Sequence, residues 1–447
     1  LLRRFVPPAD GRAHRLVSQI EISSLAMRGP DGRAWSFSRK FPIRRFSTNI
    51  VLSALLAAGA PVAVMAQAAS DRADFVASLF TGKEQYENFN RIDALFPTDK
   101  VAASDHPEPL ETGKAISLPA AFAFDGTDLS TEDFLAATDT AALLVLKDGK
   151  IVHETYRLTG GPDVRWLSMS VGKSVVSALV GTAIADGAIK SVDEPVTTYL
   201  PGLAGSAYDG VKIKDILQMS SGAQWREEYS DGESDIFRLG ALLASGAAIS
   251  TFPASLKRDH APGTFNRYNS ADTLVLGLLV ERATGKRLAR YTHEKLWQPI
   301  GATSEAFWLT DDEGTAHAYA GFNSTARDYS RIGELYRNGG RWKGKQVIPA
   351  EWVQASITPD APHLVPGHRA SADSDWGYGY QWWLPGGDDK QDYAAVGVYN
   401  QFIYVNPRSR MVIVKLSANS SYGQSGSESA SREAETIAFF RSLAAEY

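Results

Sequence analysis

The sequence predicts an α+β protein: an antiparallel sheet flanked by helices, with a mostly helical lobe inserted in its middle. Three observations predict it. β-rich runs stand at both ends of the body, over 141–156 and again from 378 to 416. Helical periodicity dominates the residues between them. An amphipathic helix over 431–444 then closes the chain, where it can return to cover the sheet.

Taken in order, the body opens with two β-rich runs, Ala141 to Leu146 and Ile151 to Tyr156, joined through Lys147, Asp148, Gly149 and Lys150. Asp-Gly between two such runs is a strong hairpin signal, so the pair is antiparallel. From Ser170 to Ala185 the apolar residues Val171, Val175, Val176, Leu179, Val180 and Ile184 recur at helical spacing, and Gly187 closes the segment. This predicts a buried helix with a serine at its start. Further helices are expected over 211–219, 273–284, 326–338 and 349–358, the lobe occupying about 190–325. Strands are expected over 378–383, 393–405 and 410–416.

At 447 residues the chain can hold a large enzyme body with an inserted lobe. Its 44% hydrophobic and 22% charged residues are ordinary for a globular protein, and a formal charge of -5 carries no polyanion-binding footprint. No nucleic-acid partner is expected. Cysteine is absent, which removes disulfides, thiol nucleophiles and thiolate metal sites, and leaves any nucleophile to Ser, Thr, Lys or a carboxylate. No cofactor and no metal are expected: His-Glu-x-x-His is missing, as are a Walker loop and a Gly-x-Ser-x-Gly elbow.

Near the N-terminus, Arg39, Lys40, Arg44 and Arg45 precede an apolar run from Ile50 to Ala66 that ends in small residues. This reads as a signal peptide over 43–66, cleaved near Ala66, and predicts a periplasmic or secreted protein with no stable membrane span afterwards. The run is short for a membrane anchor and carries Gly59 and Pro61. Residues 1–42 are expected to be a non-native or over-extended segment. A lead segment over 67–135 is expected to wrap over the core, and 136–447 to form the main domain.

Ser170 and Lys173 form a Ser-x-x-Lys at the start of the buried helix. Side chains three apart face the same way, so the two can share a proton. A serine hydroxyl needs a base, and a lysine serves once burial lowers its pKa. The backbone N–H of Ser170, at a helix N-terminus, can donate to a developing oxyanion. Chance supplies roughly one or two such spacings in a chain this long. The setting is more telling, because a lysine on a buried helix face needs a reason. Pro262 and Gly263 then lead to Tyr268, whose phenol could relay a proton or simply pack at a helix entrance with Ser270 as N-cap.

Ser170-x-x-Lys173, the Pro262 to Ser270 stretch with Tyr268, and the late strand Tyr393 to Gly397 leading to Val405 resemble, in order, the three motifs of the serine β-lactamase and penicillin-binding superfamily. The match spans about 141–443. Leu217 to Gly222, Trp225, Glu228, Tyr229, Asp231 and Gly321 to Asn323 with Arg327 and Asp328 look most like its class C-related branch of 6-aminohexanoate-dimer hydrolases and carboxylesterases. The resemblance implies a β-lactamase/transpeptidase-like fold, with Ser170 as acylated nucleophile, Lys173 as base and Tyr268 as proton relay. It also implies an oxyanion hole from the N–H groups of Ser170 and Val398 beside Gly397, and substrate contacts at Tyr229 and Asn323. Trp166 is either a wall of the acyl pocket or a core residue.

Two positions depart from the β-lactamase pattern. Ser270 stands where β-lactamases carry Asn, and Ala395-Val396-Gly397 lacks the Lys or His that helps bind a substrate carboxylate. Small neutral esters or linear amides are therefore favoured over penicillins and D-alanyl-D-alanine peptides. A β-lactamase or D-alanyl-D-alanine carboxypeptidase, and a non-catalytic penicillin-binding-like sensor, are the alternatives. Two further groups stay open. Trp376, Tyr378, Tyr380, Trp382 and Trp383 could line a groove or fill the core, and the acidic loop Glu227, Glu228, Asp231 and Glu233 could select substrates or face water.

Overall fold

The computed structural model describes residues 66–387, 391–424 and 428–447. The expected N-terminal segment and all but the last residue of the expected signal peptide lie outside the described residues. Among the described residues, no helix is long and apolar enough to cross a membrane.

Seven antiparallel strands form the main sheet: β1 (Thr140–Lys147), β2 (Lys150–Tyr156), β3 (Gly377–Tyr378), β4 (Trp383–Leu384), β5 (Tyr393–Gly397), β6 (Gln401–Asn406) and β7 (Met411–Ser417). Their spatial order is β3-β4-β5-β6-β7-β1-β2, so the last strands of the chain join the first through the β7–β1 pair. The β1–β2 turn has Asp148 and Gly149 both in the left-handed region, at φ 52° and 76°, which is what an Asp-Gly hairpin demands.

Side chains alternate across the pleat, and both faces are apolar because both are covered. Leu143, Val145, Val396, Phe402, Tyr404 and Ile413 pack against Ile437, Phe440 and Leu443 of the last helix, α5 (Glu433–Glu446). Leu144, Ile403, Val405, Val412 and Val414 belong to the opposite core with Tyr329, Ile332 and Leu335 of α4 (Ala326–Arg337). That larger core also holds α1 (Gly172–Ala185) packed on α3 (Ser270–Thr284), with the shorter α2 (Ile236–Ser245) farther out. Gly285 in the left-handed conformation ends α3. A second, four-stranded sheet runs Thr98–Val101, Ala306–Leu309, Phe322–Ser324, Trp166–Leu167 and delivers the chain directly to Ser170.

Three expectations on local structure change. The run 393–405 is two strands, β5 and β6, because Tyr399 and Asn400 turn the chain between them at φ 66° and 68°. The run 378–383 is not one strand but two short ones, because Gln381 turns the chain at φ 62° and anchors its amide on Leu217 O and Thr273. In this cluster Tyr378, Tyr380 and Trp382 are buried, whereas Trp376 and Trp383 are only partly so. Asn269, not Ser270, caps α3: its side chain accepts from Ala271 N at 2.8 Å, which releases the Ser270 hydroxyl for other bonds.

Candidate active site

The approach to Ser170 is conformationally tense. Met169, immediately before it, sits at φ 49°, a region a long side chain occupies only when the surroundings force it. A single 3₁₀ turn, Met169–Val171, then feeds α1. Gly397 at the end of β5 is pressed against this turn: a Cβ there would lie 2.5 Å from Ser168 O and 3.0 Å from Ser170 N. Only glycine permits the strand end, with Val398 after it, to come so close to the serine.

Lys173, at the start of α1 and one turn on from Ser170, is buried and places Nζ 2.8 Å from Ser170 Oγ. Its other contacts are Tyr319 O at 2.7 Å and Ser270 Oγ at 3.0 Å. The direction of each bond follows from chemistry. A carbonyl can only accept, and the Ser270 hydroxyl already donates to Glu227 Oε1 at 2.8 Å, so it accepts from the lysine. A neutral amine has two N–H bonds and one lone pair. Both N–H bonds are thus committed, and the lone pair is left facing the Ser170 hydroxyl. Burial lowers the Lys173 pKa to about 8 while the negative charge of Glu227 raises it.

Glu227 is the element the sequence did not reveal. It stands in the acidic loop that could equally have faced water, yet it accepts from Ser270 N (2.9 Å), Ser270 Oγ, Trp225 Nε1 (2.8 Å) and the Tyr229 hydroxyl (2.6 Å). Four donors on one carboxylate hold a fixed negative charge behind the lysine. Trp225 and Tyr229 are its neighbours in the chain, but the Ser270 contacts that tie it to Lys173 come from 43 residues away at the α3 entrance.

Tyr268 lies on the other side of Lys173, with Nζ 5.0 Å from its ring centroid. The ring stacks on Trp383 at 5.2 Å, and the Ser170 hydroxyl faces the phenol. Burial first, then the neighbouring Tyr378 and Glu227, push its pKa well above the ordinary tyrosine value, so the phenol keeps its proton at neutral pH. It can donate, and it can pass on a proton it has received.

Two cavities border this cluster, with no lining residue in common. An apolar one of about 90 Å³ is lined by Ser170, Val398, Tyr229 and Ser270 among others, and the lining carries no charged side chain. A polar cleft of about 630 Å³ lies on the Tyr268 and Trp383 side, with Glu228, Asp235, Asp259 and Asp373 against Arg226 and Arg267.

The structure therefore brings together Ser170, Lys173, Tyr268, Gly397, Val398 and Tyr229. Two other expected residues stand apart. Trp166 is 1% exposed, meets Phe89 edge-on and lines neither cavity, which places it in the core. Asn323 is fully buried in the small sheet, paired with Leu167, and its Nδ2 donates to Gly321 O at 2.9 Å. Among the described residues, no group of three or more His, Asp or Glu side chains could hold a metal.

A model of the family described as Beta-lactamase matches residues 131–437. The 6-aminohexanoate-dimer hydrolase of Paenarthrobacter ureafaciens is 33% identical over 338 residues, 74% of this chain and 84% of that protein. Esterase EstB of Burkholderia gladioli is 30% identical over 200 residues, 40% of this chain and 50% of its own. A solved structure from Bacillus anthracis, provisionally assigned as a 6-aminohexanoate-dimer hydrolase, has the same fold, with a TM-score of 0.72 at 21% identity over 82% of this chain and 97% of that one. The order of the motifs, the β-lactamase/transpeptidase-like fold and the matched relatives converge: the chain belongs to the Beta-lactamase family and is a serine hydrolase of that superfamily.

Proposed function

We propose that the protein is an exported hydrolase of small esters or linear amides that works through an acyl-enzyme on Ser170. The observation that carries this reading is the Nζ of a buried Lys173 held 2.8 Å from Ser170 Oγ, its other two bonds going to Tyr319 O and Ser270 Oγ. Lys173 takes the hydroxyl proton as Oγ attacks the substrate carbonyl, and the oxyanion is held by the N–H groups of Ser170 and Val398. The C–O or C–N bond then breaks while Tyr268 protonates the leaving group, and Lys173 returns its proton to Tyr268. Water, activated by the same groups, releases the acid. Because Tyr268 borders the polar cleft, the leaving group departs there and the acyl group occupies the apolar cavity. Tyr229 and Gly397 shape the acyl side.

The β5 strand offers no cation beside Gly397, which weighs against substrates that carry a carboxylate next to the scissile bond. One observation favours a second reading, a β-lactamase or D-alanyl-D-alanine carboxypeptidase: 26% identity over 193 residues to an Escherichia coli protein provisionally assigned to the latter activity. For the chain as a whole, a signal peptide removed near Ala66, a lead segment over 67–135 and a hydrolase domain over 136–447 with its lobe at about 190–325 complete the proposal.

The test is a side-by-side screen of p-nitrophenyl esters, a linear amide oligomer and nitrocefin, with fluorophosphonate labelling of Ser170. Ester or amide turnover with Ser170 labelled is expected. Turnover of nitrocefin alone would favour the second reading, and unchanged turnover in Ser170→Ala would overturn both.

A further inference from the structure

We propose that the segment 66–83, upstream of the residues matched to the family, is the length gate of the acyl subsite, and that Phe80 decides how long an acyl chain Ser170 accepts. The proposal rests on the acyl-enzyme reading above and adds the substrate class: unbranched, uncharged short acyl groups.

Val76, Leu79 and Phe80 line the apolar cavity beside Ser170. Val76 lies in the last turn of the helix over 66–78, and Leu79 and Phe80 in the turn after it, so the helix end and its turn together present one apolar edge to the site. Two attachments hold that edge in place. Arg72 pairs with Asp312 at 2.7 Å, and Phe75 meets Phe96 edge-on at 5.5 Å.

Phe80 is fixed more tightly still. Its ring centroid lies 4.6 Å from Tyr229, 5.4 Å from Tyr399 and 5.9 Å from Phe237. Its N–H donates to the Tyr399 hydroxyl at 3.0 Å, and its carbonyl accepts from Gln424 Nε2 at 2.6 Å. Its backbone stands at φ 61°, where a bulky residue is an outlier that its surroundings must enforce. Tyr399 follows Val398 directly, so Phe80 joins the cavity wall to the turn that bears the proposed oxyanion donor.

The cavity of about 90 Å³ is small. It is about one-seventh the volume of the polar cleft and takes only a short chain beyond the reacting carbonyl. With an uncharged lining, a saturated chain of that length fits, and a longer one meets the Phe80 ring.

The experiment measures kcat/KM for p-nitrophenyl acetate, butyrate, hexanoate and octanoate with the wild-type protein, Phe80→Ala, Phe80→Trp and Leu79→Ala. Fluorophosphonate labelling of Ser170 and thermal melting accompany each variant. The wild type is expected to lose at least about 10-fold from butyrate to octanoate, since a single misfitted methylene in an apolar pocket is worth about 10-fold or more. Phe80→Ala is expected to raise the octanoate-to-butyrate ratio about 10-fold, Leu79→Ala to raise it less, and Phe80→Trp to lower it. A merely structural Phe80 would not move the ratio in opposite directions for a smaller and a larger ring. Ratios unchanged in variants that still label at Ser170 would overturn the gate alone. No turnover of any ester by a wild type that also fails to label would instead overturn the acyl-enzyme reading. If Phe80→Ala does not fold, Leu79→Ala and Phe80→Trp decide the matter by the same ratio.

Discussion

Replacing Glu227 with Gln should move the pH dependence of the enzyme toward acid. As the proposed base, Lys173 would act only when neutral, and burial has lowered its pKa to about 8, so kcat/KM should rise with pH through about 8 and then level off. The raised pKa of Tyr268 means that no alkaline fall follows near neutrality. Glu227 favours the Lys173 ammonium, so removing its charge lowers the lysine pKa further. The contacts of 3.0 Å and 2.8 Å through Ser270 Oγ put the two charges no more than about 6 Å apart. At an effective dielectric constant of about 20 that separation is worth about 3 kcal/mol, or about 2 pH units. Glu227 is only half-buried, and solvent screening reduces the expected shift to about 1 to 2 units.

The acid limb of log kcat/KM should therefore move from about 8 to between about 6 and 7. The plateau should fall as well: the amide oxygen can keep the bonds from Trp225 Nε1 and Ser270 N, but its NH2 then faces the Ser270 and Tyr229 hydroxyls, which lose their acceptor and must reverse their bonds. The assay is initial-rate hydrolysis of an uncharged ester from pH 5 to 10, with circular dichroism of each sample. A limb that stays near 8 or moves up would refute the assignment of Lys173 as the base held by Glu227. The same shift has a stability consequence. A lysine lowered from 10.5 to about 8 costs the native state about 3 kcal/mol below pH 8, and the cost disappears as pH rises from about 8 to 10.5.

Three other outcomes follow from the geometry. Tyr268→Phe keeps the ring on Trp383 but loses the proton relay, and kcat should drop about 10²- to 10⁴-fold without moving the acid limb, read in the same pH series. Gly397→Ala drives a Cβ to 2.5 Å from Ser168 O, displacing the Ser170 turn from Val398; kcat should fall about 10²-fold or more with KM changed far less. Gly181→Val, on the buried face of α1, would put its Cβ 2.6 Å from the Trp352 ring, and urea unfolding should show a loss of about 1 to 3 kcal/mol or more.

The sequence carried the sheet and the central helix because their signals are local. Asp148-Gly149 names its own hairpin, and the apolar spacing from Val171 to Ile184 names α1. It also picked out Ser170, Lys173, Tyr268 and Gly397, since a motif of fixed spacing survives without coordinates. What it could not supply is the long-range company these residues keep. Glu227 reads as one more charge in a polar loop until Ser270 of α3 is brought against it. Ser270 reads as a cap until Asn269 takes that role. Phe80 lies in a segment with no motif, and its meaning comes from Tyr229, Phe237 and Tyr399, which are 149 to 319 residues away in the chain. Trp166 shows the converse, because a tryptophan four residues before Ser170 is close in sequence and still packs into the core.

The most direct test of the central claim is mass spectrometry of the protein quenched during turnover of a slowly hydrolysed ester or amide. The wild type should gain the mass of one acyl group on the peptide that contains Ser170, and Ser170→Ala should gain none and turn nothing over. An acyl group found on another residue, or hydrolysis at the wild-type rate by Ser170→Ala, would contradict the account.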